Sequence, residues 1–380
     1  MAHPPPAGLR VVIYFTKGLD DVVLAEVRGI VPDAGIVAAH ERLAIVELSA
    51  ADLTRLVAQV RTVDDLRLLL AGPEDVSTEQ DFVRLCERAA DQALEYLGGE
   101  RQLIEPWSVT ISARDPVWRR NPAWEPDGII SSKLHGASVH ATARSIVDLR
   151  IQVDRQQMTV ALNVAARPLG KRDEGGQAGR LGALRPTVAA ALVRLAVADV
   201  EPLVTAQGVY DPFCGTGTIV AEAMYLGLPV FGSDVDEEAV LATRARLSRL
   251  AGDRARRGRA ADRAGDGGTD PAVDPAADLL HRVFRHDVLR GVPGRVTASI
   301  VCGNLPWGKQ VKVERRGDLF DQVAAIVAGP LDWGGCCALL TTHEDQLAAS
   351  LRRRLTGVRI SSRRIGLLGQ TPGIVVARKA

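Results

Sequence analysis

An apolar strand, a glycine corner and a helix follow one another without interruption at residues 208–226, and that succession fixes the architecture of the back half of the chain. Gly208, Val209 and Tyr210 read as a short strand, and Asp211-Pro212-Phe213-Cys214-Gly215-Thr216-Gly217-Thr218 as the corner. Ile219, Val220, Ala223 and Leu226 then recur at helical spacing. Glycines at such a corner let the backbone approach a ligand closely, and the first amides of the helix favour polar or anionic groups. Strands expected near Val209, Val230, Val283, Ile300 and Leu339 alternate with helices around Ile219, Val240, Val323 and Leu347. A long helix led by Leu184-Arg185-Pro186-Thr187, with Thr187 near its cap, precedes them, and strands at Ile360 to Ile365 and Gly373 to Arg378 close the set. This is the pattern of a mostly parallel α/β sheet.

Open α/β sheets bind ligands at the carboxyl ends of their strands. Four elements fall there: the corner with Gly215, Thr216 and Gly217; Asp234; Asp287; and Asn304-Leu305-Pro306-Trp307-Gly308. Asp234 is placed to accept hydrogen bonds from ribose hydroxyls, and Asp287 from an adenine amine. The last stretch offers an amide, a carbonyl before proline and an aromatic plane. A dinucleotide site would need a third glycine, but Val220 stands there, and a P-loop would need a lysine after the glycines. Purely structural readings compete at each position: Asp211 as a cap on the turn at Pro212, Asp234 as a helix N-cap, His286-Asp287 as a surface turn, Trp307 as a core aromatic, and Arg185-Pro186 as a plain helix start.

The front half opens with a βαββαβ succession: a strand at Val11 to Phe15, a helix carrying Leu19, Val22, Val23, Val27 and Ile30, strands at Ile36 to Ala38 and Leu43 to Leu48, a helix at Ala51 to Val60, and a strand near Leu66 to Leu70. That order is ferredoxin-like and α+β, spanning 1–75. Residues 76–172 begin with an amphipathic helix (Phe82, Leu85, Cys86, Ala89, Ala93, Leu97) ended by Gly98-Gly99. A strand at Trp107 to Ala113, a Trp- and Pro-rich stretch, a helix around Gly128 to Val139 and a hairpin at 147–165 follow. Residues 173–183 read as a linker and 184–380 as the α/β domain. Within it, 251–278 is rich in Ala, Arg, Gly and Asp, lacks periodicity, and reads as a disordered surface insertion.

The formal net charge of +1 conceals a gradient. Residues 1–100 hold 9 Lys and Arg against 17 Asp and Glu, whereas 101–185 hold 13 against 8 and 186–380 hold 25 against 21. Leu351 to Ala380 carries eight basic residues and no acid. The middle segment and this run are therefore expected to face a polyanion, with a solvated charged surface as the alternative. No apolar run is long enough to span a bilayer, and Met1-Ala2-His3-Pro4-Pro5-Pro6 has no signal-peptide core, so a cytoplasmic location is expected. Five cysteines without C-x-x-C spacing, and histidines that do not cluster with them, point to neither a disulfide frame nor a metal site.

Asp211 to Ala223, Gly232-Ser233-Asp234-Val235-Asp236, His286-Asp287-Val288 and Asn304 to Gly308 resemble the Rossmann-fold methyltransferases that use S-adenosylmethionine. Residues 76–172, ending Pro168-Leu169-Gly170-Lys171-Arg172, resemble in layout a THUMP domain, an RNA-binding module. Together they resemble the THUMP-containing RNA guanine-N2-methyltransferases, and among them the tRNA enzymes acting at position 6 of the acceptor stem. The resemblance implies an S-adenosylmethionine site at Arg185, Asp211, Phe213, Gly215, Thr216, Gly217, Thr218, Asp234, Asp287 and Asn304, with Arg185 at the methionine end. It implies catalysis by Asn304, Leu305, Pro306 and Trp307, and RNA contacts at Lys133, Arg144, Lys171 and Arg172. The expected partner is a structured RNA, tRNA first, bound by a monomer without metal or membrane.

An exocyclic guanine amine is a poor nucleophile because its lone pair is delocalised into the ring. The Asn304 side-chain oxygen and the Leu305 carbonyl could each accept one N–H, orienting the lone pair and stabilising developing positive charge. Trp307 would stack on the extruded base, and Pro306 would stiffen the loop. Pyrimidine C5 chemistry resembles a family with cysteine directly after the motif proline, but here that position is Trp307, and Cys302 lies inside the strand as filler. Two departures stand out: tryptophan at 307, where relatives more often have tyrosine or phenylalanine, and Asp173-Glu174-Gly175-Gly176, where they often have an aromatic and an arginine. A ribosomal RNA target and a non-catalytic RNA-binding protein are the alternative readings.

Overall fold

The computed structural model describes residues 8–96, 107–113, 130, 147–154, 156–165, 169–171, 184–262, 282–306, 316–332 and 334–379. The chain divides into two compact units, Met1–Phe15 with Ala25–Leu169, and Thr16–Leu24 with Gly170–Ala380.

The front of the chain runs β1 (Leu9–Tyr14), α1 (Asp20–Ile30), β2 (Gly35–His40), β3 (Leu43–Leu48), α2 (Ala50–Gln59) and β4 (Asp65–Asp75), the order that the apolar periodicity predicts. Next come α3 (Glu79–Tyr96), β5 (Trp107–Ala113), β6 (Val147–Asp154) and β7 (Gln157–Asn163). All seven strands form one sheet in the order β2-β3-β1-β4-β7-β6-β5, so β4 joins the βαββαβ succession directly to the hairpin β6–β7. Only β5 and β6 pair in parallel. α3 buries Phe82, Leu85, Cys86, Ala89, Ala90 and Ala93 against Leu68, Leu70, Leu149, Ile151 and Val160 of the sheet. Each fully buried Leu or Phe there contributes about 1.5–3 kcal/mol of transfer free energy, which holds the helix although its outer face is strongly polar. Buried Arg67 on β4 donates at 2.7 Å to Asp65 and, past β7, to Asp148 on β6. The helix expected around Gly128 to Val139, apart from Ile130, and the Trp118 to Trp124 stretch lie outside the described residues.

The second sheet is built from β8 (Val209–Asp211), β9 (Val230–Asp234), β10 (Val283–Arg285), β11 (Ile300–Asn304), β12 (Cys336–Thr341), β13 (Val358–Arg364) and β14 (Gly373–Lys379). Their order is β10-β9-β8-β11-β12-β14-β13. The first five are parallel, whereas β14 runs antiparallel between β12 and β13. β8 and β12 are buried at every position, as strands covered on both faces must be, while the edge strand β13 is mostly half-buried or exposed. The accompanying helices are α4 (Pro186–Val197), the short α5 (Pro202–Thr205), α6 (Thr218–Tyr225), α7 (Glu237–Asp262), α8 (Arg316–Asp332) and α9 (Glu344–Arg354).

Three expectations change. The segment 251–278 does not begin as an insertion, because α7 continues through Asp262; Ala and Arg are strong helix formers even without an apolar stripe. Thr187 does not cap α4: Arg185 is the N-cap residue, Pro186 occupies the first turn, and Thr187 is buried. The basic run Leu351 to Ala380 is not one face. α9 carries Arg352, Arg353 and Arg354 to the amino edge of the sheet, where β14 also ends with Arg378 and Lys379, while β13 ends at the opposite edge. Within that run, Arg353 pairs with Asp321, Arg364 with Glu344 and Arg378 with Asp199.

All five cysteines are buried and unpaired as thiols. Among the described residues no helix is long and apolar enough to cross a membrane, and no group of three or more His, Cys, Asp or Glu is arranged to hold a metal ion.

Candidate active site

β8 ends on Asp211 and β11 ends on Asn304, and the two strands are direct neighbours, Val209 opposite Ile300 and Tyr210 opposite Val301. The winding of the sheet reverses between them, which opens a crevice at their carboxyl ends. Gly303 stands against the corner: a Cβ there would lie 3.6 Å from Asp211 Oδ1 and 3.7 Å from Phe213 Cδ2. Sheet order thus brings Asp211, Phe213 and Asn304 together across some ninety residues of sequence. The backbone after Asn304 is anchored, since the Leu305 N–H donates to the Leu340 carbonyl at 3.0 Å and the Leu305 side chain is buried. Pro306 is half-buried, and Trp307 lies outside the described residues.

Asp211 is almost completely buried, and its Oδ1 accepts the Phe213 N–H at 3.0 Å. Burial pushes its carboxyl up to about 8; the Phe213 N–H opposes that rise and the charge of Asp234 adds to it. The fold thus favours the protonated form of this carboxyl far more than water would.

The corner itself is a tight, glycine-dependent turn. Gly215 and Gly217 have φ of +51° and +80°, and the Gly217 N–H donates to the Cys214 carbonyl at 2.7 Å. Gly217 in turn caps α6. Cys214 donates its N–H to the Ser233 carbonyl at 2.9 Å, which ties the corner to β9. A Cβ on Gly215 would meet nothing closer than the Phe213 carbonyl at 4.0 Å, so one side of this loop is open.

Asp234, half-buried at the end of β9, accepts the Gly215 N–H at 2.9 Å through Oδ2 and the Asp236 N–H at 3.0 Å through Oδ1. It is not the N-cap of the following helix, because Asp236 accepts from Glu238 N there at 2.9 Å. Asp287 does what a surface turn requires: its Oδ1 accepts the Leu289 N–H at 3.0 Å and caps a short 3-10 turn, Val288–Arg290. It nonetheless lies just past the end of β10, and its neighbour His286 donates its N–H to the Asp234 carbonyl at 2.9 Å. Arg185 starts α4, and its guanidinium donates to Thr16 Oγ1 at 3.3 Å. Lys171 lies in a 3-10 turn, Leu169–Lys171, while Lys133, Arg144 and Arg172 lie outside the described residues. Burial drives the Cys214 and Cys302 thiols far up, so both pack as small apolar groups.

Two contributors escape the motif-based reading, Thr243 and Arg246 on α7. Thr243 Oγ1 donates to the Gly215 carbonyl at 2.7 Å, and Arg246 Nη1 donates to the Thr216 carbonyl at 2.9 Å and to Thr218 Oγ1 at 3.1 Å. One signal was available: Thr243 sits with Val240 and Leu247 on the apolar stripe of α7, where a polar side chain needs a partner.

Residues 174–266 match the UPF0020 family model, described as RMKL-like, methyltransferase domain. Comparison with curated proteins gives no match. Among solved structures the chain is similar to TrmN from Thermus thermophilus, with 23% identity over 98% of this chain and 100% of that one, at a TM-score of 0.68. It is also similar to a predicted N6-adenine-specific DNA methylase from Listeria monocytogenes (14% identity, 98% and 96% coverage, TM-score 0.68). SMU.472, in complex with S-adenosylhomocysteine, is a third (14% identity, 98% coverage of both chains, TM-score 0.67). The second sheet is a Rossmann-like methyltransferase sheet, the fold of the S-adenosylmethionine-dependent methyltransferases.

Proposed function

We propose that the chain transfers a methyl group from S-adenosylmethionine to the exocyclic N2 amine of a guanosine in tRNA, at position 6 of the acceptor stem. The observation that carries this reading is the adjacency of Asn304 to the Asp211–Phe213 corner on neighbouring strands. An amide able to accept from an amine, beside a glycine corner open to a ligand, is what methylation of an exocyclic amine requires.

The corner suits the cofactor. Gly215 leaves open space on one side of the loop, and Asp234 sets a half-buried carboxylate beside it, suited to a ribose diol. Phe213, Gly215, Thr216, Gly217, Thr218 and Asp234 would hold the cofactor, with Asp287 at its adenine and Arg185 toward its methionine end. When bound, S-adenosylmethionine supplies an electrophilic methyl on a sulfonium. Burial favours the neutral form of Asp211, which limits the negative charge in the corner.

Asn304 Oδ1 and the Leu305 carbonyl would accept the two N–H bonds of the guanine amine, aiming its lone pair and stabilising positive charge on nitrogen as it develops. The bond from Leu305 N–H to Leu340 fixes the backbone that aims both acceptors. Trp307 is assigned the stacking of the extruded base. Lys133, Arg144, Lys171 and Arg172, in the segment with 13 basic against 8 acidic residues, are assigned RNA contacts.

Nucleoside mass spectrometry of tRNA and rRNA from a deletion strain tests the reading. Loss of N2-methylguanosine from tRNA alone is expected. Loss from rRNA only would refute the tRNA target, and loss of N6-methyladenine from DNA with intact RNA would refute guanine altogether.

A further inference from the structure

The corner loop after β8 is gripped from behind by α7 through two polar side chains. Thr243 is fully buried, and its hydroxyl donates at 2.7 Å to the carbonyl of Gly215. One turn further along, Arg246 reaches the carbonyl of Thr216 at 2.9 Å and the hydroxyl of Thr218 at 3.1 Å. On the other side of the same residue, the Gly215 N–H is held by Asp234 at 2.9 Å. Both polar groups of Gly215 are therefore fixed, one by β9 and one by α7.

The grip also sets the orientation of the loop. A trans peptide carries its C=O and N–H on opposite sides. Drawing the Gly215 carbonyl toward α7 turns the Thr216 N–H away from that helix, while the Gly217 N–H stays occupied by Cys214. Packing reinforces the geometry: a Cβ on Gly217 would fall 2.8 Å from Thr243 Cγ2 and 2.9 Å from its Oγ1, so loop and helix meet without slack.

We infer that Thr243 and Arg246 are positioning residues that hold the corner loop in its cofactor-receiving conformation and thereby set the affinity for S-adenosylmethionine. The inference rests on the cofactor reading above. With the Thr243 hydroxyl gone, the part-buried Gly215 carbonyl keeps only the long contact from the Cys214 thiol at 3.9 Å, and the loop is free to rotate that peptide toward solvent. The cofactor then has to reorder the loop when it binds, which weakens binding without touching the transfer step.

Thr243→Val keeps the wall facing Gly217 and removes only the hydroxyl, whereas Thr243→Ser keeps the hydroxyl and trims a methyl. Calorimetric titration with S-adenosylhomocysteine is expected to show about tenfold weaker binding for Thr243→Val and, for Thr243→Ser, a value within about threefold of the parent. Arg246→Met, at a half-buried position, is expected to weaken binding in the same direction. In methyl-transfer assays Thr243→Val and Arg246→Met raise KM for S-adenosylmethionine and leave kcat unchanged, while Thr243→Ser keeps both near the parent values. Unchanged affinity in both Thr243→Val and Arg246→Met, each folded by circular dichroism, overturns the inference. Equal weakening in Thr243→Val and Thr243→Ser overturns it too, because volume rather than the hydrogen bond would then be responsible. A parent protein that binds no S-adenosylhomocysteine sinks the cofactor reading, and the clamp with it.

Discussion

Asp234 Oδ2 accepts the Gly215 N–H at 2.9 Å, so the end of β9 and the loop after β8 form one unit although nineteen residues separate them in sequence. Asp234→Ala removes the acceptor for that amide and the carboxylate assigned to the ribose at once. Binding of S-adenosylhomocysteine is expected to fall by at least about tenfold, with the far-ultraviolet circular dichroism unchanged. Calorimetry on the folded variant checks it.

Asn304 should separate binding from chemistry. Asn304→Ala is expected to keep its affinity for S-adenosylhomocysteine and to lose methyl transfer by about 10²–10³-fold, the scale of removing one transition-state hydrogen-bond partner. Near-normal turnover of this variant on tRNA would dismiss the amine-orienting role.

The two corner glycines should fail in different ways. Gly217→Ala meets both a left-handed backbone, φ +80°, and the Thr243 side chain at 2.8 Å, so thermal melting should show a marked loss of stability. Gly215→Ala also has positive φ, +51°, but its Cβ enters open space. It should cost only about 1–2 kcal/mol of stability while lowering cofactor affinity, because the added methyl projects into the side left open for the ligand.

Asp211 makes stability depend on pH. Its folded-state pKa, about 8, lies above the ordinary carboxylate value, so the native state binds a proton more tightly than the unfolded chain does. Its contribution to stability is therefore fully present below the unfolded pKa and is lost as pH rises through about 8. Asp211→Asn preserves the acceptor for the Phe213 N–H and cannot ionise. Its melting temperature relative to the parent should climb between pH 5 and 9; a difference that stays flat over that interval would contradict the buried, protonated assignment.

Much of this arrangement is legible in the letters. The β-branched runs and the corner place β8, β9, β11 and β12 within a residue or two, because parallel strands covered on both faces leave continuous apolar stretches. Strand order is not written there: nothing local to Gly373–Lys379 says that β14 runs antiparallel between β12 and β13. Nor does local pattern reveal partners. Thr243 stands out only as a polar residue on the apolar stripe of α7, Arg246 reads as ordinary helix surface, and only the position of Gly215 turns the two into a grip. Asp234 and Asp236 illustrate the same limit: either could cap α7 from sequence, and the choice depends on which one the Gly215 amide reaches. The length of α7 is hidden for another reason, since a segment of Ala and Arg without an apolar stripe gives periodicity nothing to detect.

The place of β14 has a consequence for how the protein comes into being. Among the described residues β14 is the only strand bonded to β13, so β13 is synthesised before its partner, and β12 keeps an open flank until that same strand arrives. A nascent chain halted after Arg364 therefore exposes the ladder edge of β12 and leaves β13 without a neighbour, a condition that invites pairing with other chains. The crevice between β8 and β11 lies two strands away from that gap, yet the flank of β12 behind it is closed only when β14 slides into place.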